Sequence, residues 1–277
     1  MFPKPIEKSS RAAQLSYQGL LPIALLMWLA PLIAVALFSV KPDTDFTTGN
    51  YWGLPSAFGG FENYGKVFFQ SDMPRYLMNS FLITVPTVIG AVALSCMTGF
   101  ALGIYKFKSN LWIFFMFVAG NFVPFQILMV PVRDLTLDMG LYNTKTGLVL
   151  FHIAFQTGFC TLFMRNFIRA LPYELIEAAR VEGVAEWRIF WFVVLPLMKP
   201  AIAALSVLIF TFIWNDYFWA VVLTQGAESQ PVTAGITSFN AQYRAAYHLM
   251  SAGSIVAALP PVAMFFLMQR HFIAGLT

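Results

Sequence analysis

The sequence has little charge. Only 11% of its 277 residues are Asp, Glu, Lys or Arg, whereas 58% are apolar, and the mean hydropathy is +0.69. A typical soluble domain carries about 25% charged residues. This composition excludes an ordinary soluble globular domain and indicates a membrane protein.

Cysteine, histidine and the common catalytic motifs are also scarce. The two cysteines, Cys96 and Cys160, both fall in apolar stretches, where small packing residues are expected. The three histidines are scattered, no His, Cys, Asp and Glu cluster has ligand spacing, and neither G-x-S-x-G nor H-E-x-x-H occurs. The sequence therefore predicts no metal site, no catalytic centre and no enzyme activity.

A complete phosphate-binding loop is missing as well. Gly60, Gly65 and Lys66 satisfy G-x-x-x-x-G-K, but Val67 stands where the motif needs Ser or Thr to ligate magnesium. The segment also follows a Gly- and Pro-rich loop rather than a strand. We therefore expect this chain to bind neither ATP nor Mg²⁺.

Long apolar stretches are abundant. A helix needs about 17–25 apolar residues to cross a bilayer, and backbone polar groups in lipid must be satisfied within the segment. Six stretches meet this length: residues 19–40, 77–105, 111–132, 146–164, 200–223 and 249–269. They predict an all-α membrane protein with six transmembrane helices, in which residues 1–18 precede a permease domain at 19–277.

The first stretch resembles a signal peptide at its start, because Lys4, Lys8 and Arg11 precede it. It is longer than the usual apolar region of about 7–15 residues, and no A-x-A site follows. An uncleaved first span is predicted. With the N-terminus inside, eleven Lys and Arg lie in inner segments and six in outer ones, so the positive-inside rule places both termini in the cytoplasm.

Residues 171–200 form a charged island between spans, within a predicted cytoplasmic loop at 165–199. Pro172 suits a first helical turn, and Leu175, Ile176 and Ala179 share one face. Glu174, Glu177 and Arg180 share another, with i, i+3 pairing available. Gly183 suits a left-handed helix end, and a second short helix is expected from about residue 186. Such an elbow fits a docking surface for a soluble partner or a helix lying on the membrane.

Small residues recur every four positions in the second stretch, which favours close helix packing; they are Ala91, Ser95, Gly99 and Gly103. Prolines inside spans invite kinks; they are Pro86, Pro124, Pro260 and Pro261.

Polar side chains inside spans usually face a cavity or another helix. Asn121 and Gln126 bracket Pro124, and Asn215 and Asp216 stand between aromatic residues. Amide and carboxylate groups beside aromatic faces suit sugar binding, so these four residues are candidates for a substrate path. For Asp216 a structural role near the outer interface stays open.

The island resembles the EAA loop of ATP-binding-cassette (ABC) importer permeases. The matching residues are Glu177, Ala178, Ala179, Gly183, Val193, Leu195 and Pro196, with Val193 where Ile is commoner. Four further motifs resemble the carbohydrate-uptake branch, in particular the smaller permease of the maltose importer: Asn79-Ser80, residues 140–144, Trp214-Asn215-Asp216 and residues 269–277.

The resemblance implies a type I importer permease in a bacterial or archaeal cytoplasmic membrane. It implies a second related permease, a dimer of ATPase subunits that bind ATP and Mg²⁺, and an extracytoplasmic solute-binding protein. It places Glu174, Glu177, Ala178, Ala179, Arg180 and Gly183 at the contact with the ATPase. Many relatives carry a further Gly- and Lys-containing tail, a contact not expected from a sequence that stops at Thr277.

The implied substrate is a sugar, polyol or glycoside, and a non-sugar solute stays open. A secondary transporter is the weaker alternative, because it predicts paired intramembrane ionisable residues or an internal repeat.

Overall fold

The computed structural model describes residues 10–239 and 246–276, with side chains described through residue 268. Every regular element in these ranges is helical. The α-helices are α1 Arg11–Val40, α2 Asp43–Thr47, α3 Gly60–Phe69, α4 Met73–Ile104, α5 Asn110–Gly120, α6 Met129–Asp138, α7 Lys145–Arg169, α8 Glu174–Val181, α9 Glu186–Arg188, α10 Leu195–Leu197, α11 Lys199–Trp214, α12 Phe218–Leu223, α13 Val232–Gly235 and α14 Tyr247–Leu276. A 3₁₀ turn, Phe125–Leu128, precedes α6, and a π-helical segment, Ile189–Val194, joins α9 to α10.

Four of these helices, α1, α4, α7 and α14, are long and apolar enough to cross a membrane as continuous elements. Two bent pairs qualify only when each is counted as one span, which brings the number to six. The pair formed by α5 and residues 125–138 bends by 88°, and the pair formed by residues 186–197 and α11 bends by 72°. The expected six spans are therefore four continuous helices and two broken ones.

The third stretch breaks where its polar residues lie. Helix α5 ends at Gly120, and Pro124 follows with φ −58° and ψ 115°, outside the helical region. Proline lacks an N–H and clashes with the preceding turn, so the helix cannot run through it. The expected kink at Pro124 is confirmed, whereas Pro86 and the Pro260-Pro261 pair lie inside helices that continue.

The fifth stretch is also interrupted. Helix α11 ends at Trp214 and α12 begins at Phe218, so Asn215 and Asp216 lie in the non-helical connection. The prediction of one continuous helix over residues 200–223 is wrong here. The carbonyl of Thr211 accepts the backbone N–H of Asn215 at 3.1 Å and also the Asn215 side-chain amide at 2.8 Å, so the side chain of Asn215 folds back onto the end of α11.

Helices α4 and α7 pack against each other along much of their length, and the small-residue stripe lies between them. Ala91, Ser95 and Gly99 are buried, and Gly103 is half-buried. A Cβ on Gly99 would lie 2.9 Å from the Cβ of Met164 and 3.0 Å from the backbone nitrogen of Arg165. The predicted close approach is confirmed, because no side chain fits at this position.

The chain divides into two compact units. One contains residues 1–70 and 239–256, and the other contains residues 71–238 and 257–277. In the first, the buried Lys41 ammonium donates to the carbonyls of Asn50 and Tyr51 at 2.6 and 3.0 Å. The second holds the main apolar core, built from α4, α7, α11 and residues 176–198. Cys96 and Cys160 are buried free thiols in this core, as expected for packing residues.

Candidate functional site

The charged island folds as a two-helix elbow, defined here as residues 173–188. Helix α8 starts after Tyr173, whose carbonyl is the first to accept from a residue four positions on, the N–H of Glu177 at 3.1 Å. Pro172 therefore lies one residue before the cap, and the expectation that it occupies the first turn is wrong. Its carbonyl still accepts from the N–H of Leu175 at 3.3 Å.

Gly183 makes the turn of the elbow. Its φ is +75°, as predicted, and the N–H of Gly183 donates to the carbonyl of Arg180 at 3.0 Å. The N–H of Val184 donates to the carbonyl of Ala179 at 3.0 Å. These two bonds form a Schellman motif, with Ala179 and Val184 both packed against the core. The second helix, α9, then begins at Glu186, as expected.

Arg180 closes the elbow with a partner that sequence spacing did not indicate. Its Nε and Nη2 donate to the two carboxylate oxygens of Glu186 at 2.7 and 3.2 Å, and its Nη1 donates to the hydroxyl of Tyr173 at 3.0 Å. The Tyr105 hydroxyl donates to Glu186 at 2.9 Å. The hydrogen bonds and charge of Glu186 raise the pKa of Arg180 above its ordinary value. The expected pairing of Arg180 within α8 is replaced by a two-pronged ion pair across the turn.

The two faces of α8 have different surroundings. Ile176 is 2% exposed and packs into the core, whereas Leu175 of the predicted apolar face is 45% exposed. Glu174, Glu177 and Ala178 point into solvent. Within the described part of the chain neither glutamate has an ion-pair partner. One face thus anchors the elbow, and the other presents unpaired carboxylates.

A second region is a cavity of about 540 Å³, called here the polar pocket. It brings together three of the four predicted substrate-path residues, Asn121, Asn215 and Asp216; Gln126 is exposed and does not line it. The aromatic side chains of its wall include Phe155, Phe159, Tyr217, Phe218 and Trp219. Flat apolar faces beside amide and carboxylate groups are therefore present in one cavity.

Asp216 has a defined structural task in this pocket. Its carboxylate accepts from the N–H of Ala220 at 3.0 Å and of Trp219 at 3.4 Å, two first-turn donors of α12. A negative charge at a helix N-terminus is favourable because the free N–H groups there carry partial positive charge. The carboxylate therefore starts α12 and also lines the pocket.

His152 was not a sequence candidate, yet it lies beside Asp216. It is 3% exposed, and its Nε2 is 3.4 Å from a carboxylate oxygen of Asp216. Neither ring nitrogen forms a hydrogen bond with the described residues. A single histidine in an apolar helix carries no sequence signal, and only the packing of α7 against residues 215–219 brings it to the pocket.

The short motifs outside the elbow hold elements together. The Asn79 amide donates to the carbonyls of Ala227 and Gln230, both at 2.9 Å, and Ser80 accepts from the N–H of Val232 at 2.8 Å. Asn143, with φ +58°, accepts from the N–H of Gln225 at 2.6 Å. The Trp214 indole donates to the carbonyl of Ala257 at 2.9 Å. The motif at residues 269–277 lies outside the described side chains.

The near-match to a phosphate-binding loop is helix α3 itself. Lys66 is in its last turn and pairs with Glu62 at 2.6 Å. The N–H of Asn63 already donates to the carbonyl of Gly59 at 2.9 Å, and later N–H groups of the motif lie inside the helix, so the segment is not the strand-loop-helix arrangement that a phosphate-binding loop requires.

The profile of the family described as "Binding-protein-dependent transport system inner membrane component" matches residues 91–277, more than half of the chain. The chain belongs to this family. It is therefore a component of a membrane transport system, not an enzyme, and works with a solute-binding protein.

The alignments with two relatives cover nearly the whole length of both proteins. The chain is 31% identical over 250 residues to the arabinooligosaccharides transport system permease protein AraQ of Halalkalibacterium halodurans, covering 89% of this chain and 88% of that protein. It is 31% identical over 256 residues to the osmoprotective compounds uptake permease protein GgtD of Synechocystis, covering 90% and 86%.

The fold also has a solved counterpart. A chain of a bacterial ABC transporter involved in the import of the acidic polysaccharide alginate matches with a TM-score of 0.81 and 22% identity, covering 98% of this chain and 100% of that one. The type I importer permease fold predicted from the sequence is confirmed.

Proposed function

We propose that this family member is one permease subunit of an ABC importer for a sugar, polyol or glycoside. It pairs with a second permease, and the two sit on a dimer of ATPase subunits that bind ATP and Mg²⁺. A solute-binding protein delivers the substrate from outside. The relative named for arabinooligosaccharides supports a carbohydrate substrate.

The elbow is the observation that carries this proposal. The buried side chain of Ile176 anchors the elbow in the core, and the Arg180–Glu186 ion pair joins its two helices across the turn. Its outer face leaves Glu174 and Glu177 free to meet a basic cleft. A rigid knob of this kind transmits movement of a docked ATPase to the spans. In this arrangement both termini and the elbow lie in the cytoplasm, as the positive-inside rule favours.

The polar pocket is proposed as part of the substrate path. Asn121 and Asn215 each donate their side-chain amide to their own helix at 2.8 Å, which leaves the two amide oxygens as acceptors. Aromatic walls give flat apolar surfaces for a sugar ring. The Asp216 carboxylate already accepts two N–H groups of α12. Its proposed role in the substrate path is therefore to position the pocket wall rather than to bind substrate directly.

Uptake in proteoliposomes tests the proposal. The chain is co-expressed with the proposed partner permease, ATPase and solute-binding protein, and a panel of labelled sugars and polyols is offered with ATP inside. ATP-dependent accumulation of one panel member is expected, together with no uptake when the binding protein is omitted. Uptake driven by an ion gradient without ATP would contradict the proposal and restore the secondary-transporter alternative.

A further inference from the structure

A second cavity, of about 600 Å³, lies where α4 and α7 end and α5 begins. Four cations line it: Lys106 and Lys108 in the loop after α4, and Arg165 and Arg169 in the last turns of α7. We call it the basic cavity. Neither the elbow contacts nor the polar pocket accounts for it.

The charge of this cavity is uncompensated. Within the described part of the chain no carboxylate lies within 4 Å of any of the four cations. Two helix C-termini line the cavity and together supply a partial charge of about −1. A net charge of about +3 remains, so the cavity favours binding of an anion.

One cation of the cavity wall, Arg165, and the backbone of the loop that carries the two lysines are held by defined contacts. Arg165 is 8% exposed, its Nε donates to the carbonyl of Leu102 at 3.1 Å, and its guanidinium lies 3.9 Å over the ring of Phe114. The Asn110 amide donates to the carbonyls of Leu102 and Tyr105 at 3.1 and 2.8 Å, which fixes the loop carrying both lysines. These contacts hold the Arg165 guanidinium and the backbone of the lysine-bearing loop in place without neutralising any of the four charges.

The first turn of α5 adds to the anion preference. Asn110 and Leu111 line the cavity. The N–H of Asn110 donates to the carbonyl of Phe107 at 3.0 Å, whereas the N–H of Leu111, in the first turn of the helix, has no acceptor among the described residues. Such N–H groups favour phosphate or carboxylate. This helix has 11 residues, so its N-terminal partial charge is developed.

Apolar side chains beside the cavity indicate an amphiphile rather than a free ion. Phe107 is 44% exposed, Leu111 54% and Trp112 76%. Tryptophan at this position suits the membrane interface, with acyl chains on one side and headgroups on the other. A ligand with a phosphate for the cations and an acyl chain for these side chains matches both features.

We propose that the basic cavity binds the phosphate headgroup of an anionic phospholipid. Anionic lipid attracts clustered Lys and Arg, and basic pockets between spans on the cytoplasmic side suit such headgroups. Assignment to the cytoplasmic leaflet rests on the proposed function and its orientation. Headgroup binding itself does not, because it depends only on the cavity. The bound headgroup would also meet Tyr173, which lines the cavity and accepts from Arg180 of the elbow.

Native mass spectrometry of the full-length chain in detergent tests the proposal. The protein is titrated with phosphatidylglycerol, with phosphatidylcholine of the same acyl chains and with inorganic phosphate. One phosphatidylglycerol is expected to bind at least tenfold more tightly than phosphatidylcholine, with no displacement by millimolar phosphate. Lys106→Gln/Lys108→Gln should weaken that binding about 30-fold, since each basic side chain near a membrane surface contributes about 1 kcal/mol.

The matched control is Arg188→Gln/Lys199→Gln, which removes two exposed cations outside the cavity and should leave the affinity unchanged. Lys106 and Lys108 are exposed and make no described hydrogen bond, so their replacement spares the fold, as a monodisperse elution profile would verify.

Equal binding of both lipids, or equal loss in both double variants, would overturn the proposal. Tight binding of inorganic phosphate would identify a free-anion site and also overturn it. Failed sugar uptake with intact lipid selectivity would count against the proposed function alone.

Discussion

At the scale of single residues, Asp216 shows how one carboxylate serves structure beside a cavity. Its oxygens accept first-turn N–H groups of α12 and face the polar pocket. We expect Asp216→Ala to destabilise the protein by about 1 kcal/mol, the usual cost of removing a side-chain acceptor at a helix start. Asp216→Asn keeps an acceptor and should cost less, with uptake per assembled transporter unchanged. Thermal unfolding and normalised uptake measure the two effects.

Asp138→Ala is the matched control for Asp216, because this exposed carboxylate at the end of α6 makes no described hydrogen bond or ion pair. It should not lower stability. A tenfold loss of normalised uptake in Asp216→Asn at full stability would assign the carboxylate to the substrate path instead.

Gly183 is constrained by its backbone, not by its surroundings. Its φ is +75°, and nothing lies within 4 Å of an added Cβ. Gly183→Ala should therefore cost about 1 kcal/mol through the left-handed conformation alone. Gly183→Asn should cost less because asparagine tolerates that region, and Gly183→Val should cost more. Gly65→Ala, in the interior of α3 with equal space, should be neutral or stabilising. Equal unfolding midpoints for the Gly183 variants would contradict the strain argument.

At the scale of elements, the elbow is held by the Arg180–Glu186 pair. The two side chains are 30% and 41% exposed, so solvent screens their attraction. A double-mutant cycle with Arg180→Gln and Glu186→Gln should give a coupling energy of about 0.5–1 kcal/mol at low salt, decreasing at high salt. Each single variant should also lower ATP-driven uptake, because a looser elbow transmits less movement.

The charge-swapped variant Arg180→Glu/Glu186→Arg tests whether the pair or the individual residues matter. It keeps the ion pair but separates each charge from its tyrosine partner. Partial recovery of uptake relative to the single swaps is expected. Zero coupling in the cycle would mean that the Schellman motif and the buried Ile176 hold the elbow without the pair.

At the scale of the whole molecule, the exposed face of α8 has to meet another protein for the proposed function. Glu177→Lys should abolish co-purification with the ATPase subunit, because like charges placed together at an interface cost several kcal/mol. Membrane insertion should persist. Glu182→Lys, an exposed charge reversal at the other end of the same helix, is the control and should retain most of the bound ATPase. Normal co-purification of the ATPase subunit with the Glu177→Lys variant would contradict the proposal that this face of α8 docks on the ATPase.

Much of this protein follows from the sequence alone. Low charge and long apolar stretches determine a multi-span helical membrane protein, since a backbone in lipid has no other way to satisfy its polar groups. The left-handed conformation of Gly183 could be predicted from the local sequence, because the geometry of a helix end depends on the residues next to it. The close packing at the small-residue stripe of α4 could likewise be predicted, because a spacing of four residues places these small side chains on one helix face.

Tertiary structure decided the rest, because distant residues had to be brought together. The Tyr105–Glu186 contact joins residues 81 positions apart, and no local pattern predicts it. The break after Trp214 could not be predicted from hydrophobicity, since apolar composition measures transfer into lipid and not helix continuity, whereas Pro124 indicated the break in the third stretch. The His152–Asp216 approach and the basic cavity arise in the same way. Each needs helices that only the folded bundle places side by side.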